Sequence, residues 1–112
     1  SKQFFTSINT GMPGISRNND LAATGHGCSP TAGCIATAKT VFINGIKVLR
    51  PGDLLKPHFV PNKKPPPKCV IHTAQVNRGS RSVFAEGKPV ARRGDSADRG
   101  SMSRGSPNVF AG

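Results

Sequence analysis

The sequence predicts an all-β domain of repeated β-hairpins joined by long loops, and three observations carry that prediction. The first is a repeat: Val41, Phe42, Gly45, Val48, Arg50, Gly52 and Asp53 recur 42 positions later as Val83, Phe84, Gly87, Val90, Arg92, Gly94 and Asp95. Self-similarity at a fixed offset marks a supersecondary unit used more than once. The second is composition, since 13 Gly and 10 Pro among 112 residues favour turns and short strands over long helices. The third is local pattern: a β-branched and aromatic run, Val41-Phe42-Ile43, meets the turn signal Asn44-Gly45 and returns as the alternating Lys47-Val48-Leu49-Arg50.

Taken in order, the chain opens with a strand expected around Gln3 to Ser7, followed by a degenerate unit at about 11–20. There Gly11-Met12-Pro13-Gly14-Ile15-Ser16-Arg17-Asn18-Asn19-Asp20 resembles Gly45 to Asp53 with one extra residue. Residues 21–38 read as a Gly-rich loop without helical period. Residues 40–53 form the first full hairpin, and 54–78 a long loop holding His58, the basic proline run Pro61 to Lys68, and Cys69-Val70-Ile71-His72. That proline run reads as a stiff solvated loop. Residues 82–95 form the second hairpin, with Glu86-Gly87 as its turn, and 96–106 another loop. A shorter echo, 107–112, repeats only the opening strand as Val109-Phe110-Ala111. Residues 11–20 and 107–112 together are expected to complete a third hairpin.

These totals bound the function. Six Phe with no Trp and no Tyr make a thin core, so a staple such as a metal or a disulfide, or a large partner, is expected. The formal charge of +11 points to nucleic acid or an anionic surface such as acidic lipid headgroups. The basic residues are scattered and lack aromatic stacking platforms, which leaves a zinc-stabilised basic nucleic-acid-binding module as the alternative reading, not the first. No segment approaches the roughly 20 apolar residues of a membrane span, and the opening residues lack a signal peptide's apolar core. The expectation is synthesis in the cytoplasm, with the three cysteines beginning as thiols.

All three histidines and all three cysteines fall between the repeated strands. Consecutive hairpins would bring those loops to one end, so their joint confinement predicts a metal site. Zinc prefers imidazole nitrogen and thiolate in a filled tetrahedron when its role is structural. Cys69 and His72 make a local pair, and His26 and His58 arrive from the two preceding loops, giving the expected set His26, His58, Cys69 and His72. Four filled positions leave no place for a reactive water, so no catalysis and no small-molecule substrate are expected. Cys69 with His72 as a hydrolase pair fails for want of an oxyanion hole.

The units Val-Phe-Ile-Asn-Gly-Ile-Lys-Val-Leu-Arg-Pro-Gly-Asp and Val-Phe-Ala-Glu-Gly-Lys-Pro-Val-Ala-Arg-Arg-Gly-Asp, preceded by Thr24-Gly25-His26-Gly27, resemble the PAAR-repeat proteins. The segment that names that family is matched by Pro89-Val90-Ala91-Arg92 and more loosely by Lys47-Val48-Leu49-Arg50. The resemblance covers about residues 11–112. It implies a small conical domain with a structural zinc near the apex, preferred over iron, held by three His and one Cys. It implies a role as the tip of a contractile phage tail or type VI secretion spike, with one copy capping a trimeric β-helical spike protein and meeting the target-cell outer membrane transiently. It implies no specific nucleic acid. The family's three His fall on His26, His58 and His72, but its Cys, expected after the second Gly-Asp, meets Asp98-Arg99-Gly100 instead. Cys69 is the substitute expected, with Cys28 as the alternative and Cys34 a buried small residue or the partner of Cys28. The docking surface expected is the three opening strands, at Val41, Phe42, Val83, Phe84, Val109 and Phe110.

Overall fold

A computed structural model describes residues 12–112. The strand expected around Gln3 to Ser7 lies outside the described residues, as does Gly11. The described chain is all-β, with eleven short strands and no helix: β1 (Leu21–Ala23), β2 (Thr31–Ile35), β3 (Phe42–Ile43), β4 (Ile46–Lys47), β5 (Leu54–Leu55), β6 (His58–Asn62), β7 (Lys68–His72), β8 (Phe84–Ala85), β9 (Lys88–Pro89), β10 (Ser96–Ala97) and β11 (Gly100–Met102).

The repeated sequence folds as repeated hairpins. β3 pairs with β4 and β8 with β9, each across a two-residue turn. Both turn residues have positive φ, 57° and 76° at Asn44 and Gly45, 51° and 82° at Glu86 and Gly87. That is the type I′ geometry whose twist matches a hairpin's, and a residue without a side chain enters it freely. A third pairing joins distant segments: Gly14 bridges Phe110, the Ile15 amide donates to the Val109 carbonyl (2.9 Å) and the Ala111 amide to Pro13 (3.1 Å).

These three pairings meet in a ring. Ser16 donates its amide to the Ala91 carbonyl (2.8 Å), Ala91 to Leu49 (2.8 Å), and Leu49 to Ser16 (3.0 Å). One chain thus closes a cyclic set of three hydrogen bonds at equivalent positions. Just beyond the ring each segment makes the same turn, in which an Asp carboxylate accepts the Arg amide three residues earlier: Asp20 from Arg17, Asp53 from Arg50, Asp95 from Arg92, at 2.8, 2.9 and 2.7 Å. Short polar side chains that bond nearby amides are suited to such turns.

Among the described residues the core lies in two small clusters. Ile15, Val48, Val90, Ala38, Ala85 and Ala111 fill the space under the hairpins. A second cluster, which includes Ala22, Cys34, Leu55, Val76, Ala97 and Met102, lies beneath a five-stranded sheet of order β10-β11-β1-β2-β5. Each unit therefore runs from its hairpin, through the ring, into the sheet or the loops that follow it.

Segments read as loops supply that sheet and a separate two-stranded one. β1 and β2 come from 21–38, β10 and β11 from 96–106, and within 54–78 the strands β6 and β7 pair over five positions, from His58 opposite His72 to Asn62 opposite Lys68. Ala, Gly, Ser and Pro dominate several of these stretches. Their strand character comes from a partner distant in sequence, and intrinsic preference gives no sign of it. The proline run survives as the exposed tip of the β6–β7 hairpin, residues 63–67.

Glu86 repairs a fault in the repeat. Ser80 and Ser106 each accept two backbone amides through Oγ, but the matching position of the first unit is Ala38. The Glu86 carboxylate reaches across, accepting from Thr40 Oγ1 (2.6 Å) and from the Thr40 and Lys39 amides (2.6 and 2.9 Å). The Thr40 hydroxyl and amide lower its pKa from 4.5 to about 2. A lowered folded-state pKa favours the fold above the ordinary value and loses that contribution as pH falls through the folded one. Glu86→Ala is therefore expected to melt below the parent at neutral pH, with the gap closing between pH 4.5 and about 2 in thermal scans.

Candidate metal centre

The site forms where the sheet's ends meet the β6–β7 hairpin. His26 follows β1 in a turn held by Thr24, whose Oγ1 accepts the His26 amide at 3.1 Å. His58 opens β6 and His72 closes β7, and their antiparallel pairing sets the two imidazoles side by side, with ring centroids 5.1 Å apart. The His26 ring stands 5.0 Å from that of His72 and 6.0 Å from that of His58. Asp98 occupies the two-residue turn between β10 and β11 with φ 54°, a conformation Asp tolerates. Gly100, closing that turn, admits no side chain, because a Cβ there would run into the Ala23 carbonyl.

All three imidazoles aim Nε2 at one carboxylate. The distances are 2.9 Å from His26 to Asp98 Oδ1, 2.8 Å from His58 to Oδ2 and 3.3 Å from His72 to Oδ1. The donor atoms of the four residues lie within 4.8 Å of one another. In a zinc tetrahedron with bonds of about 2 Å the donors stand roughly 3.3 Å apart, so the spacing suits a metal of that size. His58 Nδ1 lies 2.9 Å from the Lys56 carbonyl, which can only accept. Nδ1 therefore carries a proton; in the neutral ring Nε2 holds the lone pair that would face a cation, and only the imidazolium can donate from Nε2 to Asp98 as well.

The site opens to solvent at His72. The side chains of His58 and Asp98 are 3% and 4% exposed, while that of His72 is 34% exposed and borders a cleft of about 290 Å³ shared with Lys63 and Arg99. Burial by itself raises a carboxyl's pKa, but hydrogen bonds from the three imidazoles overcome it and hold the Asp98 carboxyl below its ordinary value. It stays an anion and an oxygen donor.

His26, His58 and His72 are thus brought together, and Cys69 is not with them. Cys69 and Cys28, the fourth ligand expected and its alternative, are joined in a disulfide with Cα atoms 6.0 Å apart. This corrects the expected ligand set and the pairing of Cys28 with Cys34. The physical reason is strand alternation: Cys69 lies three residues before His72, so its side chain leaves the opposite face of β7. Cys34 is buried, free, and packed 3.7 Å from the Met102 sulfur. Burial, with Asp20 and Asp53 nearby, pushes its thiol up to about 12.

Asp98 was missed although a signal existed. Of the five acidic residues, Asp20, Asp53 and Asp95 serve the repeated Arg turns and Glu86 a hairpin turn. Asp98 alone had no assigned task, and carboxylate oxygen is an accepted zinc donor. The docking residues divide: Phe42, Val83 and Phe84 are exposed, whereas Val41 and Val109 pack against the core under the hairpins, and Phe110 is half-buried.

A family model described as PAAR motif matches residues 24–102. No curated protein matches the chain.

Proposed function

The chain belongs to the PAAR-motif family of spike-tip proteins, and from that premise we propose that it caps a trimeric β-helical spike and stiffens its point with one structural metal ion. The family is structural, not enzymatic. His26, His58, His72 and Asp98 would hold the ion, with zinc suited to three imidazoles and one carboxylate. The ion would supply cross-linking between three chain segments. The residues do the rest: Lys56 fixes the His58 tautomer, the β10–β11 turn aims Asp98, and the Cys28–Cys69 bond ties the hairpin to the His26 loop. A spike under compressive load needs a tip that does not open, and the apolar core here is too small to give that alone.

The observation that carries the docking half is the ring of three hydrogen bonds through Ser16, Leu49 and Ala91. It gives a single chain an approximate threefold axis, which suits seating one copy on a threefold trimer. Phe42 and Phe84, 50% and 57% exposed, supply apolar area on two of the three hairpins. Native mass spectrometry of a mixture with the spike protein is expected to give one chain per trimer. Phe42→Ser with Phe84→Ser is expected to weaken that complex by about 2 kcal/mol, near thirtyfold. Binding at other stoichiometries, or unaffected by both substitutions, would count against this docking surface. Salt-sensitive binding to random-sequence DNA, with no spike binding, would favour the nucleic-acid reading instead.

No helix among the described residues is long and apolar enough to cross a membrane. Contact with a target membrane would be made by the surface.

A further inference from the structure

We propose that the β6–β7 hairpin is a lipid-docking element that seats on bilayers carrying anionic phosphate headgroups. The hairpin forms a two-stranded sheet of its own, apart from the five-stranded one. Alternation divides its side chains: His58 and His72 turn in to the metal centre, while their neighbours Phe59 and Ile71, directly paired across the strands, turn out. Phe59 is 49% exposed and Ile71 69%, the barest large apolar side chain among the described residues. Among the described residues, none buries either side chain.

Further along the same hairpin, Lys63 and Lys64 lie in the exposed tip loop, and Lys68, which pairs with Asn62, leaves the other face of the strand, from which its long flexible stem can bend round. Not one acidic residue occurs between Asp53 and Glu86, so the hairpin itself carries no counter-charge for these lysines. The distance from the Phe59–Ile71 pair to the lysines is about 10 Å at the rise of a strand. A hairpin lying flat would set both on one bilayer surface, the apolar pair at the acyl boundary and the flexible lysine stems reaching phosphates beside it. Lysines would meet phosphates while the phenyl and sec-butyl groups enter the acyl boundary. An acidic protein surface would satisfy the lysines but has no general use for two bare apolar groups beside them. The histidines anchor the hairpin at its root and the disulfide from Cys69 to Cys28 ties it near its tip, so it is presented without an ordering cost.

This inference builds on the spike-tip reading, in which this end of the molecule meets a membrane, and it can fail separately from it. The test is co-sedimentation of the metal-loaded chain with vesicles of phosphatidylcholine containing phosphatidylglycerol, against phosphatidylcholine alone. Spike-protein binding is measured on the same samples. The expected result is binding to the anionic vesicles only, weakened at least about tenfold by Phe59→Ser with Ile71→Ser, and likewise by Lys63→Gln, Lys64→Gln and Lys68→Gln together. Arg78→Gln with Arg81→Gln, a basic pair outside the hairpin, is expected to change it less than threefold or so. Metal content and melting temperature check that each variant is folded. Absence of binding to anionic vesicles overturns the proposal. So does an equal loss in the arginine pair, which would mean diffuse charge, or equally tight binding to soluble polyglutamate that depends on Phe59 and Ile71. In each case unchanged spike binding leaves the tip assignment standing.

Discussion

Asp98→Ala is expected to empty the metal centre and lower the melting temperature by about 16–24 °C. A site filled a thousandfold above its dissociation constant adds about 4 kcal/mol to stability, and each kcal/mol moves the melting point of a domain this size by roughly 4–6 °C. Three imidazoles facing one carboxylate at 2.8 to 3.3 Å leave no other anion to replace it among the described residues. Asp98→Cys should keep a full equivalent of metal, since thiolate is the stronger zinc donor. Chelation of the parent should bring its melting point to that of Asp98→Ala. Elemental analysis showing full zinc in Asp98→Ala would remove the assignment of this residue.

The same site predicts an acid limit. Imidazole binds a cation only when neutral, so metal is expected to leave below about pH 5. Asp98 does not set that limit: its pKa is lowered, so its contribution to stability holds above the ordinary carboxyl value and fades as pH falls through the lowered one. Metal retained with unchanged melting at about pH 4 would contradict a three-imidazole site.

Replacing both Cys28 and Cys69 by Ser is expected to cost about 4 kcal/mol while leaving the metal in place. The bond closes a loop between residues 41 apart in sequence, and the chain-entropy relation for that length gives the figure. The metal should stay because neither sulfur belongs to the cluster, whose four donors are elsewhere. Thermal scans with and without reductant should show the parent falling toward the double variant and the variant unmoved. Loss of metal in the variant would return a sulfur to the ligand set. Reducing compartments keep such thiols unpaired, so the bond is expected to close where the chain meets oxidising surroundings.

The legible parts were those written locally. Asn44-Gly45 and Glu86-Gly87 named their own turns, and both adopt positive φ. Arg50-Pro51-Gly52-Asp53 and Arg92-Arg93-Gly94-Asp95 each close within four residues. The histidines could be placed at one end because consecutive hairpins return their connections to the same side. β1, β2, β6 and β7 were not legible: Leu21–Ala23 and Thr31–Ile35 carry little strand preference, and Pro61 stands inside β6.

The sequence by itself determined the repeat, the two hairpins and the all-β class, because each depends on residues within one turn or one fixed offset of each other; the grouping of the three histidine-bearing loops followed from that repeat. Only the tertiary structure decided that Asp98 faces those imidazoles and that Cys69 turns away to Cys28. Both outcomes depend on which face of a strand a side chain leaves and which distant loop lies opposite. A single residue of register exchanges those faces, and the register is set by pairing partners far away in the chain.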